Sequence, residues 1–255
     1  RVGSGRRERR FSGLAGVDAA VHLAGAGVGD KRWTDEYKRV IRDSRVLGTR
    51  TLVRALTSLD PLPKVLVSGS AIGYYGERGD EVLTEESAPG DTFSLRCHPG
   101  LGSGDRTGEG RRDPGRPLAY RAGDGPLRRR VLAVDVAGQV RAGRALGNGK
   151  QWWSWISLPD QVAVLEYLID SDLSGPVNST SPAPARNAEV IRALASALHR
   201  PSILPVPAFA LKIALGEFAA EILDSQRVVP DRLTAAGFTF QHPTLESAAA
   251  WVTTK

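Results

Sequence analysis

The order of apolar and polar positions over residues 17–69 predicts a strand, a glycine-rich turn, a long helix and a second strand. Val17 to Leu23 read as a parallel strand buried on both faces, with His22 packed inside it. Ala24 to Gly29 (AGAGVG) follow, a turn whose backbone a ligand can approach closely. Thr34 predicts a helix N-cap, with Asp35 and Glu36 in the first turn where the helix dipole favours acids. Tyr37, Val40, Ile41, Leu47, Leu52, Val53 and Leu56 supply an apolar stripe that carries this helix to about Leu56. After Pro61 and Pro63, Val65, Leu66 and Val67 predict a second buried strand. It breaks into Ser68, Gly69, Ser70 and Ala71, then Tyr74 and Tyr75 before Gly76. The unit is βαβ, and small hydroxyl residues at the carboxyl end of its strand stand where open α/β sheets bind ligands.

The next segments are less regular. Residues 77–90 are acidic and predict a solvated surface loop, without the spacing of a metal site. From Ser94 to about Arg144 the periodicity is lost, and Val131 to Val136 is the only strand-like run. From Leu146 an ordinary pattern returns. Asp160 is expected to open a helix, Gly175 to Thr180 to form a short strand, and Asn187 to cap a further helix. Pro201, Pro205 and Pro207 mark off a last module. It is expected to hold a helix at 208–215, a helix stopped by Gly237 with a short strand after it, and a final helix around 245–252. Two domains follow from this reading, 11–200 and 201–255.

Composition changes the picture at one point. The net charge is +6 over 255 residues, which suggests a nucleic-acid partner. Residues 1–10 hold five Arg, and residues 96–146 hold eleven Arg and no Lys, so the rest of the chain is net acidic. The basic stretch carries a single aromatic residue, Tyr120, where base stacking wants several. Arg, Gly and Pro in excess with Lys rare is also what a GC-rich gene gives when read out of frame. We therefore expect frameshifts bracketing 94–144, a similar origin for 1–10, and no nucleic-acid partner. The three-frame translation of the gene checks this. The single Cys97 excludes an internal disulfide framework, and no apolar run reaches membrane-spanning length. With no signal-peptide pattern at the start, the expectation is a cytoplasmic protein without a membrane partner. The first residue is Arg, so the sequence reads as a fragment or a processed product.

Several stretches in one order resemble a known family. They are HLAG at 22–25, KRWT at 31–34, SRVLGT at 44–49, SGSAIGYYG at 68–76, WISLPD at 155–160 and GPVN at 175–178. Together they are similar to the epimerase-like, atypical branch of the extended short-chain dehydrogenase/reductases, the NAD-dependent epimerase/dehydratase proteins. Residues from about 201 to 251 resemble the small C-terminal domain of unknown function that accompanies this branch. The resemblance implies an α/β fold, a Rossmann-like doubly wound parallel sheet, N-terminally truncated here, with a small mostly helical C-terminal module. It also implies NADP or NAD as cofactor and a small-molecule substrate bearing a carbonyl or alcohol, with a homo-oligomer compatible with it. Ala24 and Gly25 match the turn that passes the cofactor. Arg45 falls at a cofactor-contacting position, and Ser68 is counted with them. Ser70 matches the catalytic Ser/Thr, and Tyr75 aligns with the Tyr of a Tyr-Gly element. Trp33 and Trp155 are assigned to the substrate side, and no metal ligand is assigned.

The sequence departs from the family pattern in two respects. No glycine-rich phosphate loop precedes the strand at Val17, and no Tyr-x-x-x-Lys pair occurs. Impaired activity is expected on that ground. A non-catalytic remnant without cofactor binding and a basic nucleic-acid-binding protein stand as the alternative readings.

Overall fold

The computed structural model describes residues 12–93, 119–124, 144–201 and 203–253. The expectations for residues 1–10 and for a strand at 131–136 lie outside the described residues. The first strand, β1 (Ala19–His22), leads through the glycine-rich turn to α1 (Asp35–Leu56) and then to β2 (Val65–Gly69). Thr34 caps α1: its hydroxyl accepts the backbone N–H of Tyr37 at 3.1 Å. β1 and β2 pair in parallel, with Ala19 opposite Val65 and His22 opposite Ser68.

The main sheet adds two more parallel strands, β4 (Ala119–Asp124) and β7 (Gly175–Asn178), in the order β1-β2-β4-β7. β4 falls inside the stretch whose pattern predicts no strand before 131. Its sequence, AYRAGD, has neither a β-branched run nor an apolar one. It is a strand because its main chain pairs with β2 on one side and β7 on the other, which side-chain patterning does not record.

Helices lie on both faces of this sheet. Val65 and Val67 point toward α2 (Leu158–Asp170), where they pack with Val164, Leu168, Val177 and Leu233. Ser157 caps α2, so the helix opens two residues ahead of Asp160. Residues alternate faces along a strand, so Ala20, His22, Leu66 and Ser68 point the other way, toward α1. A Cβ on Gly48 of α1 would lie 3.9 Å from His22 Nε2. β1 is not buried on both faces. Among the described residues it stands at the edge of the sheet; Ala19 still packs on the α2 side, but Val21 is 42% exposed. The stripe of α1 is narrower than its sequence predicts: Tyr37, Ile41 and Leu56 are buried, whereas Val40 and Leu47 face outward.

Residues 77–90 are more than a solvated loop. They contain β3 (Val82–Leu83), which pairs in parallel with β10 (Arg227–Val228). Leu83 is fully buried with Val228 and Tyr75. Two further small sheets pair β5 (Arg144–Leu146) with β9 (Ile203–Val206), and β6 (Trp152–Trp153) with β8 (Ala185–Arg186). The helix α3 (Asn187–Ala197) has Arg186 at its N-cap rather than Asn187. Asn187 is turned inward, where its Oδ1 accepts the N–H of Leu146 at 2.8 Å.

The C-terminal segment holds α4 (Ala208–Leu215), α5 (Phe218–Leu223), α6 (Asp231–Ala235) and α7 (Leu245–Thr253). Gly237 ends the α6 turn at φ +78° as the sequence predicts. Phe238 and Phe240 form no strand. They pack edge to face on each other, and Phe238 packs on Tyr167 of α2. α4 and α5 bury Leu211, Leu215, Phe218 and Ile222 against Trp33, Tyr37 and Ile41 at the start of α1. The terminal module is thus part of the packing that supports the glycine-rich turn.

Candidate functional site

The carboxyl ends of β1 and β2 lie side by side, so the turn at 24–29 and the segment 68–70 share one edge. Four side chains, three on the first half of α1 and Trp33 just before it, hold the turn. Ser44 Oγ accepts the N–H of Ala26 at 3.0 Å and donates to Ile41 O. Arg45 Nη1 donates to Ala26 O at 3.0 Å and to Ile41 O at 3.1 Å. The Tyr37 hydroxyl donates to Gly27 O at 2.6 Å, and Trp33 Nε1 donates to Val28 O at 2.7 Å. Burial, with Asp30 second, pushes the Tyr37 hydroxyl pKa up against the opposing charge of Arg45, so this donor stays protonated. Ala24 and Gly25 are left exposed on the outer side of a turn braced from behind. A Cβ on Gly25 would meet the Arg45 guanidinium at 3.2 Å, so Arg45 backs that residue directly.

Ser68 is 2% exposed on the α1 face of β2, and Ser70 is half-buried just beyond the strand. Between them Gly69 passes β1 closely: a Cβ there would lie 3.1 Å from Leu23 Cδ2. After Ser70 the chain makes a 3-10 turn, Ile72–Tyr74, and reaches Tyr75, which is 2% exposed. The Tyr75 hydroxyl donates to Asn178 Oδ1 at 2.8 Å at the carboxyl end of β7. Asn178 in turn donates from Nδ2 to Val229 O and from its backbone N–H to Glu85 Oε1. Burial raises the Glu85 pKa, and the N–H of Asn178 opposes that rise. Tyr75 therefore fixes the segment after Ser70 to the end of β7.

The structure brings Ala24, Gly25 and Arg45 together, with Ser68 on the neighbouring strand and Ser70 just beyond its end. The other assigned residues are placed elsewhere. Trp33 is 7% exposed and packs against Phe93 and Phe218, with ring centroids 4.9 and 5.5 Å away. It is a core residue whose indole N–H holds the turn, not an open wall for a substrate. Trp155 is half-buried with its Nε1 on Ala183 O at 2.8 Å. Sequence reading missed Ser44, Tyr37 and Glu85. Ser44 lies within a quoted motif but carries no chemical signal by itself, and Glu85 is one of six acids between residues 77 and 91.

A four-stranded parallel sheet covered on both faces, with a glycine-rich turn after an edge strand, is a Rossmann-like fold of the class that binds nicotinamide dinucleotides. The comparisons agree. An epimerase family protein of Mycobacterium leprae, ML0860, is 38% identical over 252 residues, covering 95% of this chain and 79% of its own length. The chloroplastic SDR39U1 homolog of Arabidopsis thaliana, also an epimerase family protein, is 36% identical, covering 92% of this chain and 68% of its own. The crystal structure of human epimerase family protein SDR39U1, isoform 2, with NADPH superposes with a TM-score of 0.83 at 25% identity. That match covers 98% of this chain and 86% of the human one. A family model described as a domain of unknown function (DUF1731) matches residues 206–252. The chain belongs to this epimerase family, within the atypical extended short-chain dehydrogenase/reductases.

Proposed function

We infer that this chain binds NADP or NAD at the shared edge of β1 and β2, and that a carbonyl- or alcohol-bearing small molecule meets Ser70 there. The observation that carries the reading is the exposed Ala24–Gly25 turn, braced by Ser44, Arg45, Tyr37 and Trp33 and set beside Ser70. A dinucleotide lies along backbone that carries no side chain on its outer side. The residues fit that need: Gly25 presents nothing outward, and the Arg45 guanidinium directly behind it supplies positive charge toward a pyrophosphate. When bound, the nicotinamide supplies hydride transfer. Ser70 orients the substrate oxygen through its hydroxyl, and Tyr75 holds the Ser70 segment in register through Asn178. Substrates of the nucleotide-sugar kind are included in this reading.

The experiment is an NADPH titration followed by nicotinamide emission, with NADH in parallel. Saturable binding is expected, weakened about tenfold or more in Gly25→Val, whose side chain meets the Arg45 guanidinium and pushes the turn and Arg45 apart. Absence of a saturable signal with either nucleotide would remove the cofactor from the account. One sequence feature favours a second reading, binding without turnover: the chain has no Tyr-x-x-x-Lys pair to exchange a proton as hydride moves. Saturable NADPH binding with no nicotinamide oxidation across a panel of aldehydes and ketones is the result that reading expects.

A further inference from the structure

The helix α4 is apolar on more than its packed side. Lys212 is the one polar residue in its sequence, AFALKIAL. Leu211 and Leu215 face inward and pack on Trp33, Tyr37 and Ile41. Phe209 and Ile213, one turn apart, point away from that contact. They are 67% and 71% exposed, the two highest values among the large apolar side chains of the described residues. A helix that is apolar all round belongs between two covering surfaces, and an apolar patch left open marks a place of association. Lys212 lies beside this ridge and forms no ion pair among the described residues.

A groove of about 940 Å³ lies elsewhere on the same chain, where α3 and α7 pack side by side. Ala193 and Ala197 of α3 and Ala249 and Ala250 of α7 line it, and side chains this small let an incoming one sink between the helices. Arg192 stands on the α3 wall and Glu246 on the α7 wall. Glu246 has no ion-pair partner among the described residues. The ridge carries both signs as well, Lys212 on α4 and the exposed Glu217 just past its end. Two apolar anchors at i and i+4 are what a groove between helices takes up, and charges of opposite sign select the direction in which the incoming helix lies. Ridge and groove are both open in one chain, so the ridge that fills the groove is that of another copy.

We propose that this chain associates head to tail with itself. Phe209 and Ile213 on α4 of one copy seat in the α3–α7 groove of the next, with Lys212 toward Glu246 and Glu217 toward Arg192. The two surfaces differ, so the contact is heterologous and adds further copies in a ring or a row. A helix of 8 residues covers less than the about 800 Å² per partner of a standard interface, so the association depends on concentration. None of these residues belongs to the cofactor edge of β1 and β2.

Sedimentation velocity of the full chain over a concentration series tests this. The mean mass is expected to rise past that of two chains. Ile213→Gln removes a ridge anchor and Ala250→Arg fills the groove. Each is expected to weaken self-association about tenfold or more. Both positions are exposed, and far-UV circular dichroism establishes that each variant is folded. Phe209→Gln replaces the first variant, and Glu246→Lys the second, where one does not fold. A mixture of the ridge and groove variants retains one intact groove and one intact ridge, and is expected to give a complex of one chain of each that grows no further. A wild type that stops at one or two chains overturns the proposal. So does a ridge or groove variant that assembles as the wild type does, or a mixture of the two that forms no complex.

Discussion

Arg45 does two things with one side chain: it donates to Ala26 O and stands behind Gly25. Arg45→Gln keeps the helix but shortens the reach and removes the charge. NADPH affinity is expected to fall about tenfold, read by the same emission titration, with stability changed by less than about 1 kcal/mol. Tyr75 separates from it by the opposite signature. Tyr75→Phe leaves the buried Oδ1 of Asn178 without its donor and is expected to cost about 1–3 kcal/mol in urea unfolding. A third residue sets a pH dependence. Burial, and then the nearby Glu77, push the Asp224 carboxyl up from 3.8 to about 6. Between those values the folded chain holds a proton that the unfolded chain has released. Stability is therefore expected to fall as pH rises through that window, with the full penalty in place above it. Asp224→Asn removes this contribution. The difference in unfolding free energy between about pH 4.5 and about pH 7 is expected to shrink in that variant; an unchanged difference contradicts the assignment. At this scale the sequence was partly legible. Gly25 and Ser70 stand out because strand ends and glycines have chemical reasons to be there. The raised Asp224 carboxyl depends on burial by the fold and then on Glu77, far away in the chain, and no local pattern shows either.

Elements were legible where local chemistry determines them. The hydroxyl of Thr34, the acids after it and the spacing of Tyr37, Ile41 and Leu56 are enough to place α1, and Gly237 is enough to end α6. β4 was not legible, because its place between β2 and β7 is a matter of main-chain pairing over long sequence separations. The exposed Val21 was not legible either: an apolar residue in a strand looks buried until the edge of the sheet is known. Asp160 shows how one element is joined to another. It is fully buried, and its carboxylate accepts the Ser157 hydroxyl at 2.7 Å and the backbone N–H groups of Gln241 and His242 at 2.6 and 3.0 Å. Asp160→Ala orphans donors at the start of α2 and in the segment leading to α7 together. A loss of about 3 kcal/mol or more is expected in chemical denaturation, at the rate of about 1–3 kcal/mol for each buried unsatisfied group.

At the scale of the molecule, the two expected domains share a core. Leu211, Leu215 and Phe218 pack on Trp33, Tyr37 and Ile41, and Trp33 and Tyr37 also hold the glycine-rich turn. Leu215→Ala is expected to destabilise by about 2–5 kcal/mol and, by loosening that support, to weaken NADPH binding as well. Unfolding followed by tryptophan emission and by circular dichroism is expected to coincide, and two separated transitions would contradict the shared core. Among the described residues no helix is long and apolar enough to cross a membrane. The central claim is that the turn at 24–29 and the Ser70 segment are two sides of one cofactor edge. Hydrogen exchange of the full chain with and without saturating NADPH tests it most directly. The expected result is slowed exchange at residues 24–29 and 68–71 together. Unchanged exchange at both segments, or protection confined to another part of the chain, would contradict it.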